Sequence, residues 1–254
     1  MIHFIFPVYN EKENLPGLIA GIRRLAAGRA YRMVAVNDGS TDGSREFLES
    51  QQGRDLVITG SVINMNIGAV FSAGIHAALS GAQDDDVVVI MESDQTSEQD
   101  LVLPMVERIA RGEADIVVAS RYLPGGKYVN FPLPRVVFSH GANRLMRAFF
   151  PVAAVRDYTI FFRAYRAGVL REASRYFGPF GLIQSRGFVA NAELLVKLSL
   201  FTGRIVEVPF VYNYGRKKGP SKINVVRTIN EYFTLINYLK RILNKHQQRQ
   251  GKAA

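Results

Sequence analysis

Short apolar runs alternate along this chain with stretches in which apolar residues return every three or four positions. The pattern predicts strands over residues 2–6, 32–37, 56–63, 87–91 and 116–120, with amphipathic helices over 15–27, 42–50, 69–79 and 99–111 between them. Runs such as Val87-Val88-Val89-Ile90 carry no polar alternation, as expected of strands buried on both faces. Strands alternating with helices in this way predict an α/β fold built on a mostly parallel sheet flanked by helices.

From residue 123 the texture changes. A Gly/Pro-rich stretch from Pro124-Gly125-Gly126 through Pro132 and Pro134 precedes a predicted helix over 136–150. A strand-like aromatic run over 160–165, a helix over 190–201 and a strand over 204–208 follow, and this part is expected to complete the same sheet and wall its cleft. Val225, Ile229, Tyr232, Ile236, Leu239 and Leu243 then recur at helical spacing, predicting a C-terminal amphipathic helix. The expected division is a catalytic-size domain over 1–223 and a basic amphipathic helix and tail over 224–254.

Composition narrows the classes. With 254 residues, 48% hydrophobic and 21% charged, the chain has the material for a full core, which excludes a disordered or fibrous protein. The absence of cysteine excludes thiol catalysis, disulfides and cysteine-ligated metal. Spanning a bilayer takes about 20 predominantly apolar residues. The apolar run over 87–91 is too short and the one over 145–155 is broken by Arg147, so no transmembrane helix is expected, nor is a secretory signal. The formal charge is +10, and residues 212–254 hold ten Lys and Arg against the single acid Glu231, so +9 of it lies in the tail. Such a segment suits anionic lipid, phosphate or nucleic acid.

In parallel sheets the chemistry gathers at the carboxyl ends of the strands. Those positions hold Pro7-Val8-Tyr9-Asn10-Glu11, Asn37-Asp38-Gly39-Ser40, Glu92-Ser93-Asp94 and Arg121-Tyr122. Glu92 and Asp94 are spaced to leave one strand end together and hold a hard divalent cation through oxygen; the competing reading is an acidic turn capping the next helix. Asp38 suits a nucleoside hydrogen bond, whereas Thr41 and Asp42 read equally well as turn and cap residues. Other nucleotide motifs fail: no G-x-G-x-x-G follows the first strand, and Gly125-Gly126-Lys127-Tyr128 is not a Walker loop. His3, His76, His140 and His246 show no metal-ligand spacing.

Taken in order, the run Pro7 to Leu15, Asn37 to Asp42, Asn66-x-Gly68 with Ala73-Gly74, Glu92-Ser93-Asp94 and Ser120-Arg121-Tyr122 resembles the family-two glycosyltransferases of the Rossmann-like GT-A fold. The polyprenyl-phosphate (dolichol-phosphate) mannosyl- and glucosyltransferase branch is the most similar, through Asp157 before an aromatic run and Arg216, Gly219, Ser221 and Lys222 in an Arg-x-x-Gly-x-Ser-Lys pattern. The resemblance implies that Pro7, Tyr9, Glu11 and Asp38 hold the donor nucleoside, and that Ser93 lines its ribose and diphosphate. It further implies that Glu92 and Asp94 hold Mg2+ or Mn2+, and that Arg121, Arg216 and Lys222 meet phosphates. Two departures bear on the metal: Glu92 stands where the family usually has Asp, and Thr96 where it has Gln.

The implied activity is metal-dependent, inverting transfer of a sugar from a nucleotide-sugar (GDP-mannose or UDP-hexose) to a polyprenyl phosphate, with the enzyme cytoplasmic and peripheral on the inner face of an anionic membrane. If the acceptor is instead a saccharide hydroxyl, as in polysaccharide or O-antigen assembly, Asp157 is the candidate base; alternatively it is a structural acid pairing Arg156 or Arg163. A Gln-x-x-Arg-Trp processive synthase is excluded because there is no tryptophan. A nucleic-acid-binding module would use the basic tail, but no nucleic-acid fold is recognisable and the rest of the chain is near neutral, so no nucleic-acid partner is expected; a non-catalytic sugar-binding relative would explain Glu92 and Thr96. The C-terminal stripe is equally suited to a membrane interface, to packing on the body and to a homo-oligomer seam.

Overall fold

The computed structural model describes residues 1–178, 180–216 and 225–251. Its first half follows the predicted alternation: β1 (Ile2–Val8), α1 (Leu15–Leu25), β2 (Tyr31–Asp38), α2 (Ser44–Gln51), β3 (Leu56–Ser61), α3 (Ile67–Leu79), β4 (Val87–Ile90), α4 (Val102–Ala110) and β5 (Ile116–Ser120). After it come β6 (Lys127–Val129), α5 (Leu133–Phe149), β7 (Arg163–Arg166), α6 (Ala167–Phe177), α7 (Ala190–Leu198), β8 (Ile205–Pro209), β9 (Val211–Asn213) and α8 (Val225–Gly251).

The main sheet has the order β3-β2-β1-β4-β7-β5-β8. All its neighbours are parallel except β7, which runs antiparallel to both β4 and β5. Every residue of β4 and β5 is buried, as their unbroken apolar runs require of strands covered on both faces. Val8 pairs with Asn37 and Ile5 with Ile90, so β1, β2 and β4 end at one edge. Because β7 is reversed, the residues that enter it reach that same edge. β6 and β9 form a separate two-stranded parallel ladder beside it.

The sheet completed by β7 and β8 is the one expected. The strand near 160–165 is shorter and later than predicted, because the chain bends at Tyr158 and Thr159 and residues 160–162 join no ladder, although the Phe162 carbonyl accepts from the Ala119 N–H. Sequence reading missed α6, whose Val169, Leu170 and Ala173 are buried, and the short strands β6 and β9.

The C-terminal helix turns its stripe inward. Tyr232, Leu235, Ile236 and Leu239 are buried and α8 packs on α5 and α7, so among the alternatives for this stripe the body is the observed partner. Ile229, counted in the predicted stripe, is 41% exposed, and Phe233, one turn on, is 57% exposed. A Leu239→Ala variant is expected to lose about 2 to 5 kcal/mol of stability in denaturant unfolding. Phe233→Ser is expected to change it by no more than about 0.5 kcal/mol.

Candidate active site

The loop leaving β1 is laced to the loop leaving β2. Asn10 N–H donates to Ser40 Oγ (3.1 Å), Thr41 N–H to Asn10 Oδ1 (2.8 Å), Glu11 N–H to Ser44 Oγ (2.9 Å) and Lys12 N–H to Asp42 Oδ2 (3.1 Å). The small polar residues of the second loop therefore serve as turn and tether; the expected side-chain cap is absent, since Gly43 occupies the N-cap of α2 with no side-chain cap hydrogen bond. Asp38 stands apart from them. Its Oδ1 accepts from Met65 N–H (2.6 Å), and burial pushes its carboxyl above the usual range despite that bond. Asp38, Tyr9, Asn64, Asn66 and Arg186 line one cavity of about 310 Å³, the donor-side cavity.

Tyr9 also lines a second cavity of about 240 Å³, together with Pro7, Glu11, Glu92, Ser93, Asp94 and Arg121. The structure thus brings together every strand-end residue to which the resemblance gives a role except Asp38, which Tyr9 links to them by lining both cavities. Ser93 Oγ donates to the Pro7 carbonyl (2.5 Å), pinning the end of β4 to the end of β1. Glu11 accepts from Asn14 Nδ2 (2.7 Å) at the start of α1.

Glu92 is pushed up to about 7, first by burial and then by the neighbouring Asp94 charge, against the Ser97 hydroxyl that donates to it. Asp94 Oδ1 accepts from Thr96 through both Oγ1 (2.5 Å) and N–H (3.2 Å). Thr96, the departure from the family's Gln, orients this carboxylate. A carboxyl raised by burial and by a second carboxylate two residues on, both lining one cavity, fits a divalent cation, and an all-oxygen donor set suits Mg2+ or Mn2+. No group of three or more His, Cys, Asp or Glu side chains gathers to hold a metal among the described residues. The remaining ligands of such an ion would then come from substrate phosphate and water, as is common for magnesium.

Opposite them lies Arg121. It donates from Nε to Asp157 Oδ2 (2.7 Å) and from an Nη to Asp157 Oδ1 (2.6 Å), and its own backbone N–H adds a third bond to the same carboxylate (3.2 Å). Tyr128, Tyr122 and Tyr212 surround the guanidinium at 5.0, 5.8 and 5.8 Å from their ring centres. Behind it, the Tyr122 and Tyr128 hydroxyls meet each other (2.8 Å) and Ser139 Oγ (2.9 and 2.8 Å), and Asn143 Nδ2 donates to Tyr122 (3.0 Å). The cation is held in a fixed pose with one edge on the cavity.

Asp157 is fully buried and absent from the cavity wall. Besides Arg121 it accepts from Thr159 N–H and Ile160 N–H (both 3.2 Å). Burial alone would raise its pKa, but the Arg121 charge and hydrogen bonds outweigh that and hold it below the usual carboxylate range. Of the two readings of Asp157, this geometry supports the structural acid, and its ion-pair partner is Arg121 rather than Arg156 or Arg163. Arg163 instead donates to the Asp157 and Tyr158 carbonyls (3.3 and 2.9 Å), while the backbone N–H of Arg156 goes to Glu207 (2.7 Å).

Arg216 ends a short turn after β9, is exposed and does not line the cavity. Lys222, with Gly219 and Ser221, lies outside the described residues. The cavity instead holds a cation that sequence reading missed, Arg135, in the first turn of α5. It donates to Tyr214 Oη (3.3 Å) and sits 5.7 Å from that ring's centre. Phe131, Tyr212 and Tyr214 complete the wall, with Phe131 5.3 and 5.1 Å from the two tyrosine rings. The signal that could have found it is the density of aromatic residues over 128–131 and 210–214, in what otherwise reads as a Gly/Pro-rich connection and a strand end.

A mostly parallel sheet with one reversed strand, flanked by helices and followed by carboxylates just beyond its central strand, is a GT-A-type architecture. Residues 4–174 match the family described as glycosyl transferase family 2, and the chain belongs to it: it is a glycosyltransferase. It is 30% identical over 232 residues to a dolichol-phosphate mannosyltransferase of Pyrococcus furiosus, covering 91% of this chain and 61% of that one. It is likewise 30% identical to an undecaprenyl-phosphate mannosyltransferase of Micrococcus luteus, covering 87% of this chain and 86% of the relative. A polyprenol monophosphomannose synthase of Mycolicibacterium smegmatis is also 30% identical, with 87% and 80% covered. The chain therefore spans less than two thirds of the archaeal relative and most of the two bacterial ones. In fold it is similar to glucosyl-3-phosphoglycerate synthase of Mycobacterium tuberculosis, at 17% identity, with a TM-score of 0.66 and 94% of this chain and 78% of that one covered. That enzyme was solved with Mn2+, UDP and glucosyl-3-phosphoglycerate, and also with Mg2+ and UDP.

Removing the Asp157 charge leaves Arg121 buried and uncompensated, so Asp157→Asn is expected to cost about 3 to 5 kcal/mol. Since folding lowers the Asp157 pKa, the pair's contribution is full above about pH 4 and is lost as the pH falls through the folded value. Acid unfolding followed by circular dichroism should accordingly show a shallower acid limb in Asp157→Asn than in the parent.

Proposed function

We propose that this glycosyltransferase moves a hexosyl group, with inversion, from a nucleotide-sugar to a polyprenyl phosphate at a membrane surface. The observation that carries this reading is a single cavity lined by the Glu92 and Asp94 carboxylates and by the Arg121 and Arg135 cations. The carboxylates suit a cation-bound donor diphosphate and the arginines an anionic acceptor. Its three curated relatives are named for mannosyl transfer to polyprenyl carriers, which supports the acceptor class and favours mannose.

Pro7, Tyr9 and Glu11 border the nucleoside end, and Asp38 offers a carboxylate to a base or ribose donor group. Ser93, pinned beneath Pro7, lines the path of the ribose and diphosphate. Glu92 and Asp94 would hold Mg2+ or Mn2+, which when bound neutralises charge on the departing nucleoside diphosphate. Arg121, fixed by Asp157 and its tyrosine cage, is preorganised to stabilise negative charge without moving. Attack by an acceptor oxygen on the face opposite the leaving diphosphate inverts the anomeric centre.

An acceptor phosphate is already ionised near neutral pH, so it needs orientation and no general base. The sealed position of Asp157 agrees with that requirement and weighs against a sugar-hydroxyl acceptor. Arg135 and Arg121 supply the orientation. Arg216 and Lys222 are retained in this proposal as cations that approach the acceptor phosphate from outside the described cavity.

A lipid acceptor also needs an apolar approach. Leu133 and Val137 on α5 are exposed and lie one turn apart, as do Ile229 and Phe233 on α8; the two helices meet through Phe138 and Tyr232, rings 6.2 Å apart on the cavity wall. No helix among the described residues is long and apolar enough to cross a membrane, so the proposed attachment is peripheral, through this face and the basic tail.

The test is transfer from GDP-mannose and UDP-hexoses to a short polyprenyl phosphate with Mg2+ or Mn2+. Transfer is expected with at least one donor and is expected to be lost in Asp94→Ala, which should also weaken Mn2+ binding followed by electron paramagnetic resonance. Full activity of Asp94→Ala without added metal would overturn the metal assignment, and transfer only to saccharide hydroxyls would overturn the acceptor. Val137→Ser with Phe233→Ser should lower co-sedimentation with anionic vesicles while leaving transfer to a water-soluble, short-chain acceptor near the parent level.

A further inference from the structure

A second buried ion pair lies behind the donor-side cavity. Glu193 and Lys197, one turn apart on α7, are both fully buried, and Lys197 Nζ donates to Glu193 Oε1 (2.5 Å). Neither charge is spent on the other alone. Glu193 accepts from the backbone N–H groups of Gln184 (3.0 Å) and Ser185 (2.7 Å). Lys197 donates to the carbonyls of Gly181 (2.8 Å) and Leu182 (3.3 Å) and to Tyr238 Oη on α8 (2.9 Å). The pair therefore grips the backbone of residues 181–185 from both polarities, and ties it to the C-terminal helix.

Immediately beyond that grip the chain forms a wall of the donor site. The segment 185–187 lies against α3 so closely that a Cβ on Gly68 would collide with the Ser185 backbone carbonyl oxygen, and on its other side Gly187 lies against the Glu231 carboxylate of α8. Gly68 N–H donates to the Arg186 carbonyl (3.2 Å). Held there, Arg186 reaches the cavity of Asp38 and Tyr9, and Phe188 lines both that cavity and the one holding Glu92, with its ring 5.8 Å from Phe161.

We infer that the Glu193–Lys197 pair is a positioning element for the nucleotide-sugar, acting through Arg186 and Phe188. Breaking it then weakens donor binding beyond what the loss of stability explains. The inference rests on the proposal that this cleft binds a nucleotide-sugar. Burying two charges carries a desolvation cost that well-packed apolar residues would not have. Here the charges satisfy four backbone groups of a loop that has no ladder of its own, and that return is positional.

The experiment measures binding of GDP and UDP, each with Mg2+, by calorimetry in the parent, Glu193→Gln, Lys197→Met and Asp115→Asn. Asp115 is the control because it is a comparably buried acid gripping Arg166 (2.7 Å) and Arg204 (2.6 Å) at the opposite edge of the sheet. Glu193→Gln and Lys197→Met are expected to raise the dissociation constant about tenfold or more, and the donor KM with it, with kcat less affected. Asp115→Asn should lower the melting temperature while staying within about twofold of the parent in binding. Parent-like binding in both pair variants, or equal weakening in Asp115→Asn, would overturn the inference. If neither pair variant folds, Arg186→Ala at an exposed side chain decides: weaker nucleotide binding supports it and unchanged binding overturns it. A parent protein that binds neither nucleotide refutes the nucleotide-sugar reading itself, which distinguishes that failure from this one.

Discussion

The constraint on which this structure turns is the burial of Arg121 with Asp157. A guanidinium and a carboxylate removed from water are tolerable only when every polar edge is matched, and here backbone N–H groups, Thr159 and three tyrosine rings supply the matching. The pair joins the end of β5 to the segment entering β7. It thereby holds the one reversed strand in register between β4 and β5 and places a rigid positive charge across from Glu92 and Asp94. Burial and the Asp94 charge push the Glu92 carboxyl up to about 7, and the Arg121 charge opposes that rise.

Much of the fold was legible in the chain. β4 is an unbroken apolar run, and β1 and β5 are interrupted only by His3 and Ser120, so all three read as buried strands; the residues just beyond them are polar in a way that loop composition does not require. The strand-end residues Pro7, Tyr9, Glu11, Glu92, Ser93, Asp94 and Arg121 do share a cavity. The features that escaped have equally physical reasons. Arg135 is a surface-type residue in a Pro-flanked helix start, and only the approach of Tyr214, distant in sequence, makes it part of a cavity. Asp157 looks like any acid beside arginines, and nothing local says that its partner is 36 residues away. α6 and the β6–β9 ladder are short, and tertiary pairing rather than intrinsic preference fixes them.

The C-terminal helix illustrates how one periodic pattern serves two demands. Its inner face, centred on Leu239, packs on the body, and Tyr238 reaches the buried Lys197 from the same helix. Its other face leaves Ile229 and Phe233 exposed. A spacing of three and four cannot say which apolar residues turn inward, since neighbouring positions on adjacent turns form two overlapping stripes. The same helix lends Thr228 and Tyr232 to the cavity that holds Glu92 and Asp94.

The strand order has a consequence for how the molecule comes into being. β4 lies between β1 and β7, and β5 between β7 and β8, so the edge bearing Glu92 and the strand bearing Arg121 are separate until residues 163–166 slot between them. Non-local pairings of this kind carry a large loop-closure entropy and form late. During synthesis, which proceeds from the N-terminus at about 5 to 20 residues per second, the β3-β2-β1-β4 half can assemble soon after residue 90 emerges. Its β4 edge stays open for the roughly 75 further residues that must be made, an exposed apolar strand of the kind that invites mispairing. The reversed strand that shapes the catalytic cleft is thus also the piece that ends the nascent chain's period of greatest aggregation risk.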